Sequence, residues 1–188
     1  MKLRIISGDL KGRFITLPDK KVRFRPTQDR VRQSLAETIK DKIPGAVVAD
    51  LCAGSGAYGF ECLSRGAREA HFIEQDRISA RNISDFIQRF GLEQRAGVFV
   101  QDVRRYVMTC TSAYDIIFYD PPYNDKALAG LMPKILELLS SEGTLIHERA
   151  NEKGRVETAQ TLFDSNRYSC ENRVYGDTRA DFYTRRNA

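Results

Sequence analysis

The sequence predicts an α/β fold: a doubly wound sheet with an antiparallel edge hairpin at its C-terminus and a small β-hairpin and helix extension at its N-terminus. Three observations predict it. From residue 46 to 163, short apolar runs alternate with amphipathic helical stretches, which is the pattern of βαβ units. The first run, Ala46-Val47-Val48-Ala49-Asp50-Leu51, is almost continuously apolar, as a parallel strand covered on both faces requires. Two further strand-like stretches, 168–175 and 179–184, follow each other with no helix between them and read as an antiparallel hairpin.

The elements can be justified in order. Leu3-Arg4-Ile5-Ile6 and Arg13-Phe14-Ile15-Thr16-Leu17 flank the turn residues Ser7-Gly8-Asp9, giving a short hairpin. Pro26 disfavours helix at Arg25, and Thr27 can cap a helix that begins after it. Val31, Leu35, Ile39 and Ile43 then recur every fourth residue, so a helix is expected from Gln28 to about Ile43. Pro44-Gly45 ends it and sets the expected boundary between a basic extension, residues 1–44, and a main domain, residues 45–188. In the main domain, helices are expected up to Arg65, over 78–90, 128–139 and 156–163, with strands at 69–74, 97–101, 114–119 and 143–147.

Composition narrows the function classes. The chain has 188 residues, 41% hydrophobic and 29% charged, which is the range of globular proteins. No apolar run approaches the ~20 residues of a membrane span. The N-terminal stretch has no apolar core of a secretion signal. Four cysteines, Cys52, Cys62, Cys110 and Cys170, form no CxxC pair, so neither a metal site nor a disulfide framework is expected and the cytosol is the expected compartment. Residues 1–32 hold ten Lys or Arg against three Asp, a local +7 in a chain of net charge +5. Such an arm suits a polyanion, while a solvated charged face has the same composition.

Three acids and a glycine loop suggest a nucleoside ligand. Asp50-Leu-Cys-Ala-Gly54-Ser-Gly56-Ala-Tyr-Gly59 joins a buried strand to a helix, where glycines let a ligand approach the main chain. The same spacing serves dinucleotides, and a purely structural turn is a third option. Asp50, four residues before the first glycine, would repel a pyrophosphate but can hold the ammonium of an amino-acid-like ligand such as S-adenosylmethionine. Glu74, 20 residues beyond Gly54, ends the second strand, where doubly wound folds place an acid on ribose hydroxyls. Asp102 comes after the third and can accept from an adenine amine, with Val103 beside the ring.

Asp120-Pro121-Pro122-Tyr123 carries the chemistry. An exocyclic amine on a base is a poor nucleophile because its lone pair is delocalised into the ring. Asp120 can accept one N–H and the Pro121 carbonyl another, drawing the nitrogen toward a tetrahedral geometry with its lone pair free. The prolines hold these acceptors in place, and the Tyr123 ring can stack on an extruded base. A turn that merely ends a strand is the plain alternative.

With these motifs in hand, the chain resembles the class I Rossmann-like methyltransferases that act on amines. Arg4-Ile5-Ile6-Ser7-Gly8, Gly12-Arg13, Arg25-Pro26-Thr27-Gln28-Asp29-Arg30-Val31-Arg32 and Leu63-Ser64-Arg65-Gly66-Ala67 make it similar to the RsmD family. Members of that family methylate the N2 amine of a guanine in 16S ribosomal RNA of the small subunit. The resemblance runs from residue 4 to about residue 185. It implies that Asp50, Gly54, Gly56, Glu74 and Asp102 contact S-adenosylmethionine, that S-adenosylhomocysteine is the product, and that no metal takes part. It also implies that residues 120–123 hold the guanine, with Asp120, Pro121 and Tyr123 as the catalytic set. The hairpin and Arg25-Pro26-Thr27 would meet ribosomal RNA or a small-subunit particle near the mouth of the site. Two departures are visible: Cys52 where Phe is frequent, and Ala49 where Leu is common.

Three other readings stay open on sequence grounds: an adenine-N6 methyltransferase on DNA or RNA, a dinucleotide oxidoreductase, and a non-catalytic RNA-binding assembly protein. A monomer is expected. Neutralising Lys11, Arg13, Arg25 and Arg30 together is expected to weaken RNA affinity and flatten its dependence on salt. An unchanged slope of log affinity against log salt would mean that these residues are only a solvated face.

Overall fold

The computed structural model describes residues 2–16, 26–122, 128, 130–151 and 163–186, with backbone alone for 26–29. Strands β1 (Lys2–Arg4) and β2 (Phe14–Thr16) pair antiparallel with Leu3 opposite Ile15. Helix α1 (Pro26–Thr38) and a 3₁₀ turn at Lys40–Lys42 lead to β3 (Val47–Leu51). Then come α2 (Ala57–Ser64), β4 (Glu69–Glu74), α3 (Arg77–Arg89), β5 (Ala96–Val100), α4 (Val103–Thr109) and β6 (Tyr114–Tyr119). Helix α5 (Met132–Glu137) precedes β7 (Leu139–Ala150), and β8 (Tyr168–Tyr175) and β9 (Thr178–Arg185) complete the described elements.

The main sheet has the order β5-β4-β3-β6-β7-β9-β8. Its first five strands are parallel, and β9 lies antiparallel between β7 and β8. From β3 the chain winds outward through β4 to β5, then returns to the other side of β3 at β6. That reversal opens a crevice at the carboxyl ends of β3 and β6, the usual ligand position in such sheets.

Alternation along the strands sorts the core into two layers. Val48, Phe72, Phe118, Ile146 and Phe182 pack with Val31 and Leu35 of α1, Phe60 and Leu63 of α2, and Ile83 and Phe86 of α3. Ala49, Leu51, Ile117, Tyr119, Leu145 and Tyr183 face the other way, onto Tyr106 of α4 and Ile135 of α5. Leu3, Ile5 and Ile15 of the N-terminal hairpin belong to the first layer, so the extension and the main domain share one core.

The doubly wound sheet and its C-terminal hairpin are as the sequence predicts; three regions differ. Helix α1 begins at Pro26, whose fixed φ suits a first turn, so Thr27 lies inside the helix rather than capping it. It gives way after Thr38 to the 3₁₀ turn instead of running to Ile43. Helix α4 is absent from the sequence-based expectation: Asp102 reads as a turn residue, yet it caps a seven-residue helix. The expected helix over 128–139 is in part strand, because Leu139 pairs with Tyr114 and β7 continues past an irregularity to Ala150. Most of the helix expected at 156–163 lies outside the described residues.

The hairpin is joined to α2 chiefly through one buried carboxylate. Glu61 of α2 is 1% exposed and accepts from Ile6 N at 3.0 Å, Ser7 N at 3.2 Å, Arg32 Nη1 at 2.9 Å and Arg65 Nε at 3.0 Å. Arg32, itself buried, also donates to the Arg4 carbonyl at 2.9 Å. One turn on, Ser64 Oγ accepts from Leu10 N at 2.9 Å and donates to the Ser7 carbonyl at 2.5 Å. Gly8 is needed here because a Cβ on it would stand 1.7 Å from the Ser64 carbonyl oxygen. Glu61→Ala removes the acceptor of two amides and the ion-pair partner of Arg32. It is expected to cost about 3–5 kcal/mol, read by denaturant unfolding. A loss below about 1 kcal/mol would show that the hub does not hold the hairpin.

Candidate active site

The glycine loop is shaped by the side chains beneath it. Asp50 is buried at the end of β3, where its Oδ2 accepts from Gly59 N in the first turn of α2 at 3.0 Å. A Cβ on Gly59 would stand 2.3 Å from the Phe72 ring, so glycine lets α2 pack tightly on β4. Gly54 differs: with φ 55° it needs glycine for its backbone, and a Cβ there would meet nothing nearer than the Cys52 carbonyl at 4.0 Å. Its α-carbon therefore faces open space in which a ligand can approach. Cys52 itself takes φ 62°, a strained conformation of the kind concentrated at functional loops.

Glu74, at the end of β4, holds this loop from the side. Its Oε2 accepts from Gly54 N and its Oε1 from Asp76 N, both at 2.7 Å. Each oxygen retains a second lone pair for a ribose hydroxyl. Asp76 caps α3 by accepting from Ser79 N at 2.8 Å. Asp102 is committed more heavily: it caps α4 through Arg104 N at 2.7 Å and pairs with the Arg104 guanidinium at 2.5 Å. Those bonds hold its carboxyl below the usual range. Val103 is buried in the second layer beneath it.

Asp120 stands one residue past β6, with surface open to the crevice. Dense protein behind it pushes its carboxyl up to about 6. Pro121 is buried and Pro122 exposed. Tyr123 lies outside the described residues. Burial, then the charges of Asp120 and Glu74, raises Asp50 to about 8 despite its bond from Gly59. Cys52 is raised to about 12 by burial and then by the fields of Glu74, Asp120, Asp50 and Asp102, which leaves its thiol un-ionised and a poor nucleophile. All four acids singled out in the sequence thus act on one neighbourhood.

Sequence reasoning missed Glu148 and Tyr58. Glu148 is buried on β7, and Tyr58 OH donates to its Oε1. The Tyr58 ring stacks on Phe118 with centroids 4.6 Å apart. Because Tyr119 pairs with His147, Asp120 comes across from Glu148. The available signal was an acid at the carboxyl end of the fifth main-domain strand, Leu145-Ile146-His147-Glu148.

The basic residues are placed differently from the acids. Lys11, Arg13 and Arg30 are exposed. The hairpin turn contacts Ser64, the last residue of α2, and the Arg13 guanidinium lies 5.4 Å from the Phe90 ring, just after α3. The crevice is where α2 and α3 begin. Lys11 and Arg13 therefore sit at the far end of those helices, not at the mouth of the site. The offset is about the ~20 Å length of a thirteen-residue helix. Arg25 and the Thr27 side chain lie outside the described residues, and Arg32 of the same signature is in the buried hub.

The family model described as Conserved hypothetical protein 95 matches residues 3–184. The chain belongs to this family, the RsmD family. Among its relatives, Ribosomal RNA small subunit methyltransferase D of Escherichia coli K12 is 33% identical over 147 residues, spanning 78% of this chain and 71% of that protein. Bacillus subtilis YlbH is 30% identical over 189 residues, 98% of this chain and all of its own length. The solved structure of yhhF from Escherichia coli superposes with a TM-score of 0.85 at 28% identity over the full length of both chains.

The clustered acids set a pH dependence of stability. Asp50, Asp120 and Glu148 all have folded-state pKa values above their ordinary values. The folded protein therefore binds more protons than the unfolded chain between about pH 4 and 8. This contribution to stability is present in full near pH 4 and is lost as pH rises through about 6 and about 8. Without ligand, denaturant unfolding should show stability declining from pH 5 to 8, and Asp50→Asn should flatten the decline. A rise over that range in the parent protein would contradict this placement of the acids.

Proposed function

We propose that this chain transfers a methyl group from S-adenosylmethionine to the exocyclic N2 amine of a guanine in 16S ribosomal RNA, acting as a monomer on RNA or a small-subunit particle. Membership of the RsmD family carries the coarser statement, methylation of ribosomal RNA from S-adenosylmethionine. One observation supports transfer to an exocyclic amine: Asp120-Pro121 follows β6 at the crevice bounded by Asp50 and Glu74, and the choice of guanine N2 follows the RsmD resemblance.

The residues fit the cofactor. Gly54 leaves room at the loop, Glu74 offers lone pairs to ribose hydroxyls, and an acidic surround suits a cationic ligand. Asp50 supports the loop from beneath, and Asp102 with Val103 would border the adenine. S-adenosylmethionine supplies a methyl group already activated on a sulfonium, so positioning of the amine carries most of the rate. Asp120 is largely ionised at neutral pH with its carboxyl at about 6, and it accepts one N–H of the amine. The Pro121 carbonyl accepts the other, and Tyr123 stacks on the base. The same Asp120 oxygen then takes the proton that the amine loses on methylation.

The test is transfer of labelled methyl to unmodified ribosomal RNA, small-subunit particles and unmethylated DNA, with nucleoside analysis of the products. N2-methylguanosine from RNA or particles is expected, and N6-methyladenine would overturn the base assignment. Asp120→Ala should lower transfer by at least on the order of a hundredfold with S-adenosylhomocysteine binding nearly unchanged. Full activity in that variant would remove Asp120 from the mechanism.

A further inference from the structure

Glu148 is only 6% exposed, and its Oε1 accepts from Tyr58 OH. Among the described residues no other donor reaches this carboxylate. A buried acid with a single hydroxyl partner is a poor stabilising device, since an apolar side chain of similar size fills the space without the cost of desolvation. That cost is visible: burial first, then the charge of Asp120, pushes the Glu148 carboxyl up to about 8. The group is also held in place. Tyr58 is pinned by its stack on Phe118, and the β6–β7 register sets Glu148 across from Asp120, next to the acceptor for the reacting amine.

Two neighbouring acceptors match one base edge. Guanine presents two adjacent donors, the N2 amine and N1–H. Adenine presents an amine beside a bare N1, whose lone pair would face a carboxylate. We propose that Glu148 selects guanine by accepting N1–H on Oε2 while Asp120 engages the N2 amine, with Tyr58 as the positioning residue that aims Glu148. This rests on the guanine-N2 reading above. The N1–H bond favours the ionised carboxylate and so offsets the penalty of burying it. Discrimination comes from both sides: a bond gained with guanine and a lone-pair clash with adenine.

The experiment places 2-aminopurine at the guanine where the parent enzyme deposits its methyl. This base keeps the 2-amine and has a bare nitrogen in place of N1–H. Assayed above pH 8, where the Glu148 carboxyl is ionised, the parent enzyme is expected to methylate it more slowly by on the order of ten- to a hundredfold in kcat/KM. Glu148→Leu should lose rate on guanine and hold or gain rate on 2-aminopurine, so the preference disappears. Tyr58→Phe keeps the ring stack, and should lower the guanine rate roughly severalfold while leaving 2-aminopurine alone. Binding of S-adenosylhomocysteine reports folding, and if Glu148→Leu fails to bind it, Tyr58→Phe decides. Equal losses on both bases would make Glu148 structural and overturn the proposal while the guanine-N2 reading stands. A parent enzyme that yields N6-methyladenosine instead of N2-methylguanosine would overturn both.

Discussion

Four donors meet on the Glu61 carboxylate, and they come from three segments that are far apart in the chain. The hairpin supplies two amides, α1 supplies Arg32, and α2 with its C-terminal cap supplies the acid and Arg65. Since α2 is also the helix that the glycine loop opens, the hairpin and that loop are attached to the two ends of one short rigid rod. The buried pair of Glu61 and Arg32 is therefore less a source of net stability than a device that specifies one docking geometry. Arg4-Ile5-Ile6-Ser7-Gly8 and Arg30-Val31-Arg32 make sense together on this view, as the two halves of a joint.

At the opposite end of α2 the logic is reversed. Where Glu61 is satisfied, Asp50, Asp120 and Glu148 are crowded together with few donors; burial raises all three carboxyls, and neighbouring charges raise those of Asp50 and Glu148 further. Folding places this excess of acceptors at the switch point of the sheet because β3, β6 and β7 end side by side there. A cationic sulfonium and a base edge rich in N–H groups are the complement of such a surface. The molecule is locally unfavourable at the crevice and well paired where the hairpin is joined.

What the sequence made legible was local. The run from Ala46 to Leu51, the glycines after it, Glu74 at a strand end and the prolines after Tyr119 can each be read from a few neighbouring residues, and the strands stand where those runs are. What stayed hidden depends on register and long-range pairing. Glu148 gains its meaning only from the Tyr119–His147 alignment, 28 residues apart in the chain. Arg32 looked like one more cation of a basic arm until Glu61 supplied a buried partner. Charge likewise gave the sign of the arm but not its position, so Lys11 and Arg13 lie beside the ends of α2 and α3 rather than at the crevice. Helix α4 escaped because seven residues show too little periodicity to outweigh a capping Asp102 that also suits a turn.

The placement of β9 between β7 and β8 bears on how the protein is made. During synthesis β7, which carries Glu148, emerges before β8, and β8 before the strand that joins them. Until residues 178–185 have left the ribosome, β7 is a sheet edge with an open ladder, and β8 has no neighbour to pair with. A nascent chain can thus assemble the glycine loop and the Asp120 turn early, yet the strand bearing Glu148 is locked in place only when β9 slides in. The crevice is thus bordered by a strand whose outer neighbour is translated after it, so its final shape waits on a segment that contributes none of its acids.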